Sequence, residues 1–157
     1  MNLSANFTLS QLTASETAIR KGIANEPTPE QIANLVDLAA CLEEVRRLVG
    51  PIHINSAFRS VRLNREIGGS PTSAHLDGYA ADIVAPGFGT PREVCQAIAG
   101  AGIPFDQLIE EGATPEGGGW THLSIAPTMR GEILTARFVN GKAIYSKGLI
   151  QEDSKTS

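Results

Sequence analysis

Apolar residues recur at helical spacing in two stretches of the chain, and each stretch begins with the same polar signature. Thr28-Pro29-Glu30-Gln31 supplies an N-cap threonine, a proline at the first helical position and a glutamine that closes a capping box. The apolar positions that follow are Ile32, Leu35, Val36, Ala39, Leu42, Val45 and Val49. Because Gly50-Pro51 ends this run, we predict one long helix that forms the back of the core.

The second signature, Thr90-Pro91-Arg92-Glu93, predicts a shorter helix that ends before Gly100. Residues 9–22 indicate short, irregular helices ahead of the long one. Elsewhere the pattern consists of short apolar runs between turn residues, which is typical of strands. These runs cover residues 52–58, 80–85, 105–111, 120–125, 133–139 and 143–145.

Two segments of the sequence predict turns between neighbouring strands. The glycine-rich residues 112–119 are a natural hairpin connection, and Asn140-Gly141 is typical of a two-residue hairpin turn. We therefore predict an α+β fold with a mainly antiparallel sheet packed against helices. Residues 1–150 are expected to form a single domain, and the polar residues 151–157 are expected to be a frayed tail.

Composition narrows the classes of function. The 157 residues are 41% hydrophobic and 19% charged, as in an ordinary globular protein. A net charge of −4 gives no general attraction to nucleic acid or to an anionic membrane, and no apolar run is long enough to span a bilayer. No signal peptide is visible, so we expect synthesis in the cytoplasm. We also expect a monomer with Cys41 and Cys95 as buried free thiols.

The candidate chemistry lies in His75, Asp82 and His122. The chain has three histidines, and two of them stand in a His-x6-Asp and a Trp-x-His arrangement. Two imidazoles and one carboxylate are a natural ligand set for a four-coordinate zinc ion that leaves one position to water. Zinc lowers the pKa of such a water enough to make a nucleophile near neutral pH. Each residue alone would fit a core histidine or a turn aspartate, but the spacings together favour a Zn²⁺ site.

Five blocks of sequence, taken in order, resemble a known family. The blocks are Ser56-Ala57-Phe58-Arg59-Ser60, Asn64 with Gly68-Gly69-Ser70, the run from Ser73 to Ile83, Phe105-Asp106-Gln107-Leu108-Ile109 and Trp120-Thr121-His122-Leu123-Ser124. Together they resemble the zinc D-alanyl-D-alanine carboxypeptidases and L-alanoyl-D-glutamate peptidases, which cut peptidoglycan stem peptides and share a hedgehog/DD-peptidase fold. The phage and prophage type is the nearest in pattern. The likeness runs from about Phe7 to Gly148.

The resemblance implies a role for four residues. His75, Asp82 and His122 match the three zinc ligands of the family. Arg59 matches an arginine that holds a substrate carboxyl group or polarises the scissile carbonyl, and a planar guanidinium suits both tasks. Phe58 stands where tyrosine is common in the family, so this chain lacks a hydroxyl at that position.

The sequence offers more than one candidate for the general base that the resemblance implies. Many relatives carry an acid three positions before the last histidine ligand, where this chain has Gly119. Others carry an acid after the Asp-Gln-Leu-Ile block, where this chain has Glu110 and Glu111. We favour Glu111, which matches the Asp-Gln-Leu-Ile-x-Glu form, with Glu110 as the alternative and Glu116 as a poorer one. Periodicity does not decide between them, because the long loop leaves the hairpin register open.

The expected function is that of a zinc metallopeptidase acting on peptidoglycan stem peptides or crosslinks, as a DD-carboxypeptidase or as an endolysin-like endopeptidase. Glu111 would take a proton from the zinc-bound water, while zinc and Arg59 polarise the carbonyl. The phage-like resemblance favours cleavage of crosslinks or of the L-Ala–D-Glu bond. It implies access to the wall by holin-type release or as part of a phage particle. The alternative is a zinc-containing binding or structural module without turnover, as the hedgehog signalling domain illustrates.

Four further polar residues receive weaker interpretations. Asp106 and Gln107 are expected to brace a ligand imidazole, since metal-binding histidines usually need such a partner. His53 lies in an alternating strand, and Asp77 lies beside Gly78 in a turn. We expect no catalytic role for either.

Overall fold

A single six-stranded sheet is the centre of the computed structural model, which describes residues 1–114 and 116–149. The strands are β1 His53–Ser56, β2 Ala80–Val84, β3 Gln107–Glu111, β4 Trp120–Ser124, β5 Glu132–Val139 and β6 Lys142–Lys147. Their order is β1-β2-β4-β3-β5-β6, and all neighbours are antiparallel except β3 and β5. The predicted α+β fold with a mainly antiparallel sheet is confirmed. The predicted tail at residues 151–157 lies outside the described residues.

Five α-helices accompany the sheet in the described part of the chain. They are α1 Leu9–Thr13, α2 Glu16–Lys21, α3 Pro29–Val49, α4 Val61–Glu66 and α5 Pro91–Ala101. Capping boxes at Thr28 and Thr90 begin α3 and α5, as predicted. The end of α5 differs from the prediction: the helix continues through Gly100, because Gly102 at φ 74° supplies the left-handed C-cap.

The long helix α3 packs one apolar face against the sheet. Its buried residues are Leu35, Leu38, Ala39, Leu42, Val45 and Val49. Val36, predicted to face the core, is 42% exposed, and Leu38 is buried instead. Leu38 belongs to the core face because it lies three residues after Leu35 and four before Leu42, which is the spacing of one helical stripe. The prediction that this helix backs the core is otherwise correct.

The segment after β1 departs most from the sequence pattern. β1 ends at Ser56, before the predicted end at residue 58, because its pairing with β2 is irregular between Ile54 and Ser56. Ala57 and Phe58 then leave the sheet and are buried in the core. The helix α4 and a 3-10 helix, Ala74–Asp77, follow where the sequence predicts loop. This irregular segment brings residues 57–75 over the β1 side of the sheet.

Both predicted hairpins are present. Residues 112–119 join β3 to β4, and Asn140 (φ 53°) with Gly141 (φ 78°) joins β5 to β6. Cys41 and Cys95 are free thiols, but Cys41 is half-buried rather than buried. No helix in the described part of the chain combines the length and apolar character needed to cross a bilayer.

Candidate metal centre

His75 is oriented by backbone groups around the 3-10 helix. Its ring Nδ1 lies 2.6 Å from the carbonyl oxygen of Ala57. A carbonyl can only accept, so Nδ1 carries the proton and Nε2 keeps its lone pair. Nε2 faces Oδ2 of Asp82 at 3.3 Å. A backbone partner on one ring nitrogen with the other nitrogen directed at a carboxylate is the arrangement of a metal-binding histidine.

Asp82 and His122 meet across two neighbouring strands. Asp82 on β2 pairs directly with His122 on β4, so both side chains point to the same face of the sheet. Nδ1 of His122 lies 2.9 Å from Oδ1 of Asp82. The ligand atoms of these two residues and of His75 all lie within 4.8 Å of one another, and all three residues are buried. The structure therefore brings together the three predicted ligands.

The environment keeps Asp82 in the form that binds a metal. Burial alone would raise its pKa, yet the neighbouring imidazoles of His75 and His122 outweigh burial and hold the pKa of Asp82 below its usual range. Two imidazoles and an ionised carboxylate, all buried and converging on one point, form a donor set of mixed nitrogen and oxygen ligands. That set fits Zn²⁺ better than Mg²⁺ or Ca²⁺, which prefer oxygen ligands.

Arg59 lies beside the ligands on the β1 side. Its Nη2 is 3.3 Å from Oδ2 of Asp82, its Nε donates to Ser56 Oγ at 3.1 Å, and its Nη1 donates to Asn64 Oδ1 at 3.2 Å. A Cβ at Gly69 would overlap Asn64 Oδ1 and lie 3.1 Å from Arg59 Nη1, so a side chain there would displace Asn64 from Arg59. Burial lowers the pKa of Arg59, while the negative charges of Asp82 and Glu111 partly offset this by raising it. The guanidinium is thus held in one position next to the metal centre.

Glu111 lies at the end of β3 on the same face as the ligands. Register pairs Ile109 with His122 and Glu111 with Trp120, and alternate residues of a strand share a face. Trp120 Nε1 donates to Glu111 Oε1 at 2.8 Å, and this oxygen is 3.9 Å from His122 Nδ1. Burial raises the pKa of Glu111, while the charge of His122 opposes the rise. A carboxylate of increased proton affinity therefore adjoins the metal centre.

These residues line one cavity of about 1190 Å³, which extends across the sheet from the β1 side to β6. Comparison with protein families agrees with this geometry: the family model described as Peptidase M15 matches residues 5–124. The chain belongs to the peptidase M15 family. The predicted resemblance to zinc D-alanyl-D-alanine peptidases is confirmed at this level.

A curated relative of this M15 chain is the zinc D-Ala-D-Ala carboxypeptidase of Streptomyces albus G. The two are 34% identical over 109 residues, which is 68% of this chain and 41% of the relative. The chain thus spans about two fifths of the length of that relative. The matched family region contains His75, Asp82 and His122, together with Arg59 and Glu111.

The two neighbouring glutamates of the M15 chain lie on opposite faces of β3. Glu110 points away from the cavity and is buried between Arg92 and Arg137, with nitrogen–oxygen distances of 3.5 Å to each. Glu111 lines the cavity. Glu116, the third candidate, is exposed in the loop between β3 and β4. Of the three carboxylates, Glu111 is the one within 4 Å of a predicted ligand.

Backbone geometry explains why glycine replaces an acid at position 119. Gly119 has φ 95°, and a Cβ there would lie 2.6 Å from Ala113 N and from Glu111 O. A side chain of any kind is therefore excluded by this hairpin. The carboxylate near His122 comes from the opposite strand instead, since Glu111 pairs with Trp120, the residue next to Gly119.

The expectation that Asp106 and Gln107 brace a ligand imidazole is wrong. Asp106 accepts hydrogen bonds from Thr128 and Arg130, and the side chain of Gln107 donates to Glu132 at 2.7 Å. The reason is their position at the far end of β3, next to the segment after β4. The partners that do orient His75, Arg59 and Glu111 are a backbone carbonyl, an asparagine and a tryptophan.

Sequence reasoning did not give Trp120, Asn64 or Ala57 these positioning roles. Trp120 and Asn64 stand in the quoted blocks, so their identity could have pointed to them. The Ala57 carbonyl carries no sequence signal, because any residue supplies one. His53 and Asp77 are exposed, and neither lies among the three converging ligands.

Proposed function

We propose that this M15 peptidase hydrolyses peptide bonds in the stem peptides of peptidoglycan. Zn²⁺ is its cofactor, and Nε2 of His75, the carboxylate of Asp82 and Nδ1 of His122 would hold the ion. The observation that carries the proposal is the position of Glu111, whose carboxylate lies on the ligand face and 3.9 Å from His122. The name of the Streptomyces relative supports peptidoglycan as the class of substrate.

Glu111 acts as the general base and then as the general acid. When bound, zinc supplies Lewis-acid chemistry that acidifies a water and polarises a carbonyl. One oxygen of Glu111 is held by Trp120, which leaves the other oxygen to take the proton of the attacking water. The water oxygen bonds to the peptide carbon, the carbon–nitrogen bond breaks, and Glu111 returns the proton to the leaving nitrogen. No covalent enzyme intermediate is required.

Arg59 stabilises negative charge on the substrate next to the ligands. Its three hydrogen-bond and ion-pair partners fix the guanidinium before substrate arrives. A preorganised donor costs little reorganisation when charge develops on the carbonyl oxygen. The same group could instead pair with a substrate carboxylate, since both are anionic oxygens within reach of a guanidinium fork.

We infer endopeptidase action, on crosslinks or on the L-Ala–D-Glu bond. The cavity is lined on both sides of the ligands, by Ser70 in the segment before His75 and by Tyr145 on β6, beyond Glu111 in the strand order. Such room on both sides of the reacting centre suits a bond inside a chain, whereas a carboxypeptidase site closes around a terminal carboxylate. A phage-type route to the wall stays a prediction.

The alternative of a zinc-containing module without turnover loses its main support. That reading depended on glycine at position 119, where many relatives carry an acid. Glu111 lies on the neighbouring strand, and its carboxylate is 3.9 Å from His122. It can therefore serve in place of an acid at position 119.

Replacing Glu111 with glutamine tests the proposal, because E111Q keeps the shape and removes the base. Hydrolysis of purified peptidoglycan should fall roughly 10²- to 10⁴-fold, as expected for loss of a general base. Zinc content, measured by atomic emission, should be unchanged. E110Q is the matched control: it alters the neighbouring residue on the other face, and its rate should match the wild type. An E111Q rate equal to that of the parent would exclude Glu111 as the base.

A further inference from the structure

The cavity has a wall of aromatic side chains beyond the metal ligands. β5 and β6 continue the ligand face of the sheet, since Glu111 pairs with Ala136 and Ala136 pairs with Tyr145. We use the name aromatic ledge for the four cavity-lining side chains of these strands. They are Leu134, Phe138, Ala143 and Tyr145.

Both aromatic residues of the ledge leave much of their surface in water. Phe138 is 50% exposed and Tyr145 is 54% exposed. Aromatic residues make up 5% of the chain, yet its one tryptophan, both tyrosines and Phe138 all line this cavity. Apolar surface in contact with water is unfavourable. Concentrating it in a cleft is typical of a site that a ligand covers.

The register of the strands places the two aromatic residues of the ledge next to each other. Phe138 pairs with Ala143, and Tyr145 pairs with Ala136, so Phe138 and Tyr145 are diagonal neighbours on one face of the hairpin. Alanine at both opposite positions leaves the ring surfaces uncovered. Trp120 packs against Phe138 with ring centroids 6.1 Å apart and supports it from the side of the ligands. The result is a platform of two neighbouring, half-exposed aromatic side chains inside the cavity.

The chemistry of peptidoglycan identifies what such a platform can bind. Stem peptides present small or charged side chains, namely alanine, glutamate and a diamino acid, and none of these needs an aromatic wall. Sugar rings present flat faces of C–H groups, whose slight positive charge is attracted to the negative face of an aromatic ring. Burial, and then the charges of Glu111 and Asp82, raise the pKa of Tyr145, so its hydroxyl remains a donor for a sugar oxygen.

We propose that the aromatic ledge is a saccharide subsite that binds a sugar ring of the glycan strand. The inference rests on the proposed function and makes it more specific: the enzyme acts on stem peptides that are still attached to glycan. The ledge lies in the same cavity as Glu111, so the bond that is cut lies near the glycan end of the stem peptide.

Two soluble substrates test the inference: a disaccharide-linked stem peptide, and the same peptide after an amidase has removed the sugars. We expect kcat/KM of the zinc-loaded enzyme to be about tenfold or more higher for the linked substrate, similar to the effect of stacking one base on an aromatic residue. F138A and Y145L should each bring the ratio of the two kcat/KM values close to one. The ratio is the quantity of interest, because it cancels any indirect effect on Glu111 through Trp120.

The double variant V139A/I144A is the matched control. These residues lie on the same hairpin and are 52% and 53% exposed, but strand alternation directs them to the opposite face. The control should keep the wild-type ratio. A wild-type ratio near one, or a ratio that survives in F138A and Y145L, would overturn the subsite. A wild-type dimer that F138A dissociates would also overturn it, since a second copy would then cover the ledge. Failure to cleave either substrate would instead refute the proposed function.

Discussion

Single residues fix the reacting groups through partners that are themselves held in place. The Ala57 carbonyl selects the tautomer of His75, and Trp120 holds one oxygen of Glu111 at 2.8 Å. Asn64 and Ser56 hold Arg59 in the same way. In each case a neutral donor or acceptor orients the side chain. Such a partner fixes the position of the side chain without changing the net charge of the site.

Asp106 provides a residue-scale prediction about stability. Hydrogen bonds from Arg130 and Thr128 outweigh burial and hold the pKa of Asp106 well below its usual range. A depressed pKa means that the stabilisation is present above the unfolded pKa of about 3.9 and is lost as pH falls toward the folded value. D106N should therefore lower the free energy of unfolding by about 2 kcal/mol at pH 7, and the deficit should shrink progressively below about pH 4.

Urea unfolding at pH 7 and at pH 3.5 measures this difference, with E44Q as the control. Glu44 pairs with Arg47 at 2.8 Å, close to the 2.9 Å of Asp106 with Arg130, but its side chain is 58% exposed. We expect E44Q to change stability by less than about 1 kcal/mol, because exposed ion pairs contribute little. A D106N deficit that is the same at both pH values would contradict the assignment.

At the scale of elements, the capping signatures and the alternating strands were readable from the sequence, and the segment between β1 and β2 was not. Thr28 and Thr90 predict the starts of helices, because capping interactions involve residues that are close in sequence. The 3-10 helix at Ala74–Asp77 is instead held by contacts with distant parts of the chain, such as Gln31 Nε2 to Leu76 O at 3.1 Å. No periodicity in residues 57–79 encodes those contacts.

The three candidate ligands could be predicted from the sequence, whereas the faces of Glu110 and Glu111 could not; Glu111 was favoured only through the family resemblance. Histidine and aspartate are themselves zinc ligands, so the spacing of His75 and Asp82 in the sequence indicates a metal site. Deciding between Glu110 and Glu111 requires the register of β3 on β4, which pairs Glu111 with Trp120 across a long loop. That pairing depends on the backbone turn at Gly119 and is not a property of either glutamate.

The hairpin between β3 and β4 gives a prediction at this scale. G119A places a Cβ 2.6 Å from Glu111 O in a backbone with φ 95°, whereas G117A adds a Cβ at φ 93° with nothing within 4 Å. Both variants should lose stability through backbone strain, about 1 to 3 kcal/mol. G119A should lose more, and it should also lose activity, because Glu111 must shift.

Thermal unfolding and the rate of peptidoglycan hydrolysis, measured on both glycine variants, separate the two effects. G117A should retain nearly the wild-type rate despite its lower melting temperature. Equal rates in G117A and G119A would show that the hairpin backbone does not position Glu111.

For the whole molecule, the strand order places Asp82, His122 and Glu111 on one face of one sheet, and the segment after β1 adds Arg59 and His75 there. Reading across that face, Arg59 lies at the β1 side, Asp82 and His122 lie on β2 and β4, Glu111 lies on β3, and Tyr145 lies on β6. Helix α3 and the buried apolar residues occupy the other face. A single continuous sheet thus separates a packed core from an open cleft, and the cleft has space on both sides of the metal ligands.

The most direct test of this account is the release of fragments from purified peptidoglycan, read by mass spectrometry, for metal-free protein and for the same sample reloaded with Zn²⁺. We expect fragments from the zinc-loaded protein alone, with masses that correspond to cleavage within a stem peptide or crosslink. Loss of zinc should abolish release, because the ligand set has no other catalytic use. Stoichiometric zinc binding without any release of fragments would contradict the account and would favour a binding module.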